Sequence, residues 1–226
     1  QFGVFATMDE NGHGLVLGMR VKLQVNQISE IELITYRTGG GPAWNDAGYA
    51  NLEKMKVPNP LWNAPTARHL SRQELAQVAN YYFDGIQNND GKGYYPFTAD
   101  CNRLENGTAT TNNPGIVKMG PVDIGGMGCK AQFETGLYGI VTKVHDRRFA
   151  VIDEERQEVF ALAVFDHCGC KKSLTMPNGT KVDVGFFNKP SSILLAEAFK
   201  IDGGLIRQVE AVGVGVPYHM RPGWGR

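Results

Sequence analysis

The stretch Ser71-Arg72-Gln73-Glu74, followed by Leu75, Val78, Ala79, Tyr82, Phe83 and Ile86, constrains the fold more than any other feature. Serine at an N-cap with glutamate three residues on is a capping box, in which two side chains satisfy backbone donors that a helix start leaves free. The apolar residues then recur with the spacing of one helix face, which ends near Asn88-Asn89-Asp90-Gly91. A helix with a single apolar face has to lay that face on something, and the rest of the chain supplies mostly strands.

Residues 1–37 read as a β-meander. Phe5 to Asp9, Gly14 to Val25 and Ile28 to Tyr36 alternate or are β-rich, and Asp9-Glu10-Asn11-Gly12 and Asn26-Gln27 supply turns. Residues 38–65 change character: Gly39-Gly40-Gly41-Pro42, Pro58, Pro60 and Pro65 mark an irregular linker, with Trp44 and Trp62 inside it. Beyond the capped helix, 107–128 is a Gly/Asn/Pro loop and Cys129 to Val141 is expected to form a second helix. Four strand candidates close the chain: Arg148 to Asp153, Val159 to His167, Ser192 to Lys200 and Leu205 to Val214. Helices followed by an antiparallel meander make an α+β arrangement, with 66–226 as its main unit.

The two strand-rich ends match each other. With Ile28 placed on Ile206, Leu17 falls on Leu195, Lys22 on Lys200 and Glu32 on Glu210, and Phe5 to Glu10 parallels Phe149 to Glu154. The shared order suggests duplication, with residues 1–37 as the sheet half of a first unit. That half has no helices to cover it, so its apolar face needs a partner: the second unit, a second copy in a homodimer, or a cleaved N-terminal segment.

Composition narrows the class. The 23 basic and 23 acidic residues cancel, which argues against nucleic acid as a partner. No apolar run approaches the ~20 residues of a membrane helix. The four cysteines, Cys101, Cys129, Cys168 and Cys170, allow three pairings. The expectation to test is Cys101–Cys129, together with Cys168–Cys170 or a bond to another chain. Their spacings suit zinc poorly and no two histidines have ligand spacing, so no metal is expected; without a Walker loop or a dinucleotide fingerprint, no nucleotide cofactor is expected either. Asn106-Gly107-Thr108 and Asn178-Gly179-Thr180 are glycosylation sequons in turn-like sequence; with the even cysteine count they point to a secreted glycoprotein.

Several segments carry a family resemblance: Tyr81-Tyr82-Phe83-Asp84, 100–107, Phe149 to Arg156, Phe165-Asp166-His167, Ala196-Glu197-Ala198-Phe199 and Ile206 to Val212. Together they resemble an uncharacterised family of secreted, mostly fungal proteins. The resemblance implies a SnoaL-like (nuclear-transport-factor-like) α+β cone, a curved antiparallel sheet around the long N-terminal helix, preceded here by a partial second copy. The wider fold includes dehydratases, isomerases, epoxide hydrolases, cyclases, lyases and binding modules, so fold alone does not select a reaction.

In such a cone, polar groups facing the hollow are the candidates for chemistry. Glu197 shares a strand face with Ile193, Leu195 and Phe199, surroundings that raise a carboxyl pKa and suit a general acid or base. His167 ends an apolar strand and is the candidate partner base. Glu210, Gln208, Tyr82, Arg148 and Tyr218 are candidates to position substrate; Glu197 could instead pair with Arg148 or Arg207, and Tyr82 could belong to the core. His145 reads as part of a solvated corner. The leading expectation is a cofactor-independent lyase, dehydratase or isomerase acting on a small polar or carbohydrate-derived molecule. The alternative is a non-catalytic secreted binding or interaction module. An open hollow with converging ionisable groups would favour the first, and a packed interior the second.

Overall fold

The computed structural model describes residues 1–39, 47–55, 59–66 and 68–223. The sequence-expected loop residues Gly40, Gly41, Pro42, Trp44 and Pro58, and the tail residue Trp224, lie outside the described residues. The chain opens with the expected meander, β1 (Phe2–Glu10), β2 (His13–Gln24) and β3 (Gln27–Arg37), paired antiparallel in that order. In the region read as an irregular linker, α1 (Gly48–Met55) and a 3-10 turn (Pro60–Asn63) form. Tyr49 and Leu52 of α1 pack on a buried cluster. Tertiary burial, which local breakers conceal, accounts for so short a helix.

The capped helix is α2 (Arg72–Gln87). Its capping box is complete, and Leu75, Val78, Ala79, Tyr82, Phe83 and Ile86 are all buried. Gln157 seals the helix start, accepting from Leu70 N at 2.6 Å and donating to Leu70 O at 3.0 Å. Next come β4 (Phe97–Glu105), β5 (Thr108–Ala109), β6 (Lys118–Met119), β7 (Val122–Asp123) and α3 (Cys129–Glu134). The second helix is shorter than expected because Gly136, at φ 72°, interrupts it, and a 3-10 turn (Leu137–Ile140) takes over. The chain closes with β8 (Lys143–Asp153), β9 (Glu158–His167), β10 (Ser173–Thr175), β11 (Lys181–Asp183), β12 (Ser191–Asp202) and β13 (Leu205–Val216).

The fold is α+β. Six strands form one sheet in the order β5-β4-β13-β12-β9-β8, antiparallel except where β4 runs parallel to β13. Both faces of this sheet are covered. Successive side chains on a strand point to opposite faces. Thus Val159, Ala161, Ala163 and Phe165 of β9, with Leu195, Phe199 and Ile201 of β12, pack with α2. Phe160, Leu162, Ala196 and Val212 point the other way, onto Val16, Ile34 and Tyr36 of the three-stranded sheet. The meander therefore lays one face on the main unit. The layers approach so closely that a Cβ on Gly18 would lie 2.7 Å from that of Ala196. The meander's other face still presents Phe2, Met8, Ile31 and Leu33, each more than two-fifths exposed.

All four cysteines are paired, as Cys101–Cys129 and Cys168–Cys170. The first bond fastens α3 to β4; the second closes a small loop after β9. Disulfides are the mark of an oxidising environment. Among the described residues no helix is long and apolar enough to cross a membrane.

Candidate functional site

The interior between α2 and the sheet holds Glu197, as its face on β12 dictates. Glu197 is 3 % exposed and its Oε1 accepts from the Tyr82 hydroxyl at 3.0 Å, while Oε2 has no hydrogen-bond partner. Burial pushes its carboxyl up to about 8, against the pull of the Arg103 charge and the Tyr82 hydrogen bond. Arg103 is committed elsewhere: its guanidinium donates to Gln132 Oε1 at 2.9 Å, to the Tyr138 hydroxyl and to Glu105 Oε1 at 2.5 Å. One carboxylate, Glu105, thus balances the arginine, and burial biases Glu197 toward its neutral acid form.

The surroundings of Glu197 are filled. Tyr82 lies with ring centroids 5.1 to 6.2 Å from Phe83, Phe97, Phe133 and Phe199, mostly edge to face. It is 1 % exposed, so the expectation that it contacts substrate is corrected: its ring is core and its hydroxyl belongs to Glu197.

The expected acid–base pair is also corrected. Across the β9–β12 ladder Glu197 faces Ala161 and His167 faces Ser191. Six residues of strand separate the two positions, about 20 Å at the usual rise. His167 is buried, stacked on Phe187 at 4.9 Å, and desolvation drops its pKa to about 4 against the pull of Asp166.

Arg148 has neither of its expected roles. It reaches across the layers to Glu32 of β3, through Nη1 at 3.0 Å and a closer Nη2 contact. Glu32 also takes Arg20 Nε at 3.2 Å. This buried cluster joins the two sheets, and Glu32, the repeat counterpart of Glu210, is structural. Asn106 is excluded as a glycan acceptor: it is 5 % exposed, its Nδ2 donates to Gly213 O at 3.2 Å and its Oδ1 accepts from Gly213 N at 2.9 Å. Asn178 lies in an exposed turn. Tyr218 sits in the segment after β13, its ring 3.8 Å from that of His219.

Open space lies on the sheet's other face. A cleft of about 820 Å³ separates the three-stranded sheet from β9, β12 and β13. Phe5 and Thr7 form one wall, Phe160 and Val212 the other, and Glu210, Glu158 and Trp62 also line it. Glu210 Oε1 accepts from Trp62 Nε1 at 2.9 Å and from Gln208 Nε2 at 3.4 Å. Burial raises the Glu210 pKa against those two bonds, and burial likewise raises that of Glu158. Lys200, 1 % exposed, holds the Trp62 turn by donating to Trp62 O at 3.1 Å. The two substrate-binding candidates on β13 therefore face this cleft side of the sheet and not Glu197. Trp62 was noted only as part of a linker. Its proline-flanked position gave no local sign that it would meet residues almost 150 positions later.

A helix-covered sheet with a second, smaller sheet on its back defines an α+β sandwich with one packed and one cleft-bearing face. Residues 68–213 match a family described as a domain of unknown function (DUF8021), and the chain belongs to that family. No curated protein matches it. Similar solved structures include a de novo designed protein with a curved β-sheet (11 % identity, 63 % of this chain and 87 % of that one, TM-score 0.36). Another is the phenazine biosynthesis-related protein phzb2 from Pseudomonas aeruginosa (9 % identity, 69 % of this chain and 95 % of that one, TM-score 0.33).

Proposed function

We propose that this protein is a secreted, non-catalytic module that binds a small polar or carbohydrate-type ligand in the cleft between its two sheets. The observation that carries this reading is that the 820 Å³ cleft is lined by Trp62 and by Glu210, which the buried Gln208 holds from behind, while the Glu197 interior is filled with rings. The volume lies in the range of small-molecule sites, and an apolar wall with a few convergent polar groups is their usual make-up. The acidic side chains Glu210 and Glu158 at the cleft favour a neutral polyhydroxylated ligand over an anion, and an indole supplies a face for a sugar ring. The paired cysteines and the exposed Asn178 sequon support export and glycosylation. We read the α2-covered half as the SnoaL-like cone, with its hollow closed by aromatic packing.

The test is calorimetric titration with a panel of neutral mono- and disaccharides. At least one should bind saturably, and Glu210→Gln and Trp62→Leu should each weaken it about tenfold or more, the scale of a lost charge-assisted hydrogen bond. If no saccharide binds, or both variants bind like the parent, the reading fails.

One observation favours a second reading, acid–base catalysis: Glu197 Oε2 is buried without a partner beside Tyr82. On that reading, Glu197→Gln would abolish turnover of a substrate that the parent converts, with the fold retained.

A further inference from the structure

At the end of the six-stranded sheet remote from the cleft, four segments that are distant in sequence converge. His145 comes from the start of β8, Asp166 from the end of β9, Ser192 from the start of β12 and His219 from just beyond β13. His145, Asp166 and His219 each bring one ligand-type atom to a cluster whose members all lie within 4.8 Å of one another. His219 Nδ1 is 2.8 Å and His145 Nε2 is 3.3 Å from the same oxygen, Asp166 Oδ2. Asp166 is 0 % exposed, yet neither Oδ2 nor the buried His145 Nε2 makes a hydrogen bond of acceptable geometry. Both histidines thus stand at ion-pairing distance from one carboxylate oxygen.

A shared cation accounts for this arrangement. Donor atoms about 2.0–2.1 Å from one ion, at octahedral to tetrahedral angles, lie roughly 2.9–3.4 Å apart. The two contacts to Asp166 Oδ2 are close to this, and the two histidine nitrogens, within 4.8 Å of each other, would draw together around the ion. The surrounding groups are those that orient metal ligands. Asp146 Oδ2 stands 2.9 Å from His145 Nδ1, which places the ring proton there and leaves the Nε2 lone pair facing inward. Ser192 Oγ donates to Asp166 Oδ1 at 2.5 Å, which leaves Oδ2 free for an ion. The same hydroxyl oxygen accepts the His219 backbone N–H at 3.0 Å, anchoring a residue whose φ is 60°. His145 and Asp166 are covered, but His219 is 59 % exposed at the side chain, so the cluster is reachable from solvent.

We propose that His145, Asp166 and His219 form a site for a first-row divalent transition metal. Two imidazoles and one carboxylate suit zinc, iron(II) or cobalt(II), and three protein ligands leave at least one position open for water or an exogenous ligand. The site lies about four strand residues, on the order of 13 Å, from the nearest cleft wall at Val212 and shares no residue with the cleft, so it stands or falls independently of saccharide binding.

The test uses the full chain, stripped with chelator and titrated separately with Zn2+ and Co2+. The parent should bind one equivalent saturably, develop the visible absorption of coordinated Co2+, and unfold at a higher temperature with Zn2+ than without it. His219→Ala should unfold like the parent in chelator, because that side chain is largely exposed, and should lose at least about tenfold in affinity. Asp166→Asn, which keeps the shape of the side chain, should lose the Co2+ spectrum, with chelator-treated samples reporting its fold. Absence of stoichiometric binding by the parent overturns the proposal. So does binding that His219→Ala leaves unchanged, which would identify adventitious surface sites.

Discussion

On its helix side the six-stranded sheet meets α2 through interlocked rings; on its other side it meets the meander through a smaller apolar cluster, a close Gly18–Ala196 approach, a buried ion cluster and a cleft. Phe83 shows the first kind of contact, with Phe149, Phe165 and Phe199 within 5.7 to 6.1 Å of its centroid. Gly18 against Ala196 and Arg148 against Glu32 show the second. The difference follows from what each covering element can do. A helix presents a convex stripe whose side chains enter the gaps of a curved sheet, whereas two twisted sheets packed face to face separate toward their edges. Polar groups accordingly have different settings on the two faces. Glu197 is sealed among rings, and Glu210 borders open space.

That contrast can be broken at its strongest point first. Phe83→Ala should cost about 3–5 kcal/mol, the usual range for removing a buried aromatic ring, measured by denaturant unfolding. A loss under about 1 kcal/mol would mean the helix side is not close-packed. Gly18→Val addresses the other face. Its side chain would have to enter contacts already at 2.7 Å, so the sheets should part at a cost of about 1–3 kcal/mol, and saccharide binding should weaken. Retention of parental stability would show that the meander is only loosely seated.

The effect that is smallest at any single step is a pH slope, which accumulates only over several pH units. Glu197 has a folded pKa of about 8 against an ordinary 4.5, so the folded chain holds a proton that the unfolded chain releases. This contribution is fully present below the unfolded value and is lost as pH rises toward 8, by at most about 1.4 kcal/mol per unit. Glu210 and Glu158, also raised by burial, add slopes of the same sign. Glu197→Gln should therefore flatten part of the decline in melting temperature between pH 5 and 8. An unchanged profile would mean that Glu197 is already ionised within the fold.

Some of this architecture is visible in the sequence, for definite reasons. The α2 face was legible because capping and a helical period act within a few residues, and all six residues of that face are buried. The strands of the meander and the closing hairpins were legible through alternation and turn residues. The run Val159 to Phe165 carried a further signal, since a continuous apolar strand is one buried on both faces, which already implied a second covering layer. The site was far less legible. Arg148 had a plausible partner in Glu197, but the actual one, Glu32, comes from the other sheet. Asn106 has an acceptor's sequence context and a buried, hydrogen-bonded side chain. His145, Asp166 and His219 have no common spacing, so only the strand ladder brings them together.

By itself the sequence determined the capped helix, the meander strands and the closing strands, that the helix needs an apolar floor and that the meander needs a neighbour, because propensity, capping and periodicity are local. Only the tertiary structure decided that the meander lies on the back of the main sheet, that open space falls there instead of beneath the helix, and which charges meet. Those outcomes depend on register, on strand order and on the volume left between layers. These are properties of pairs of segments far apart in the chain, and no single stretch of residues encodes them.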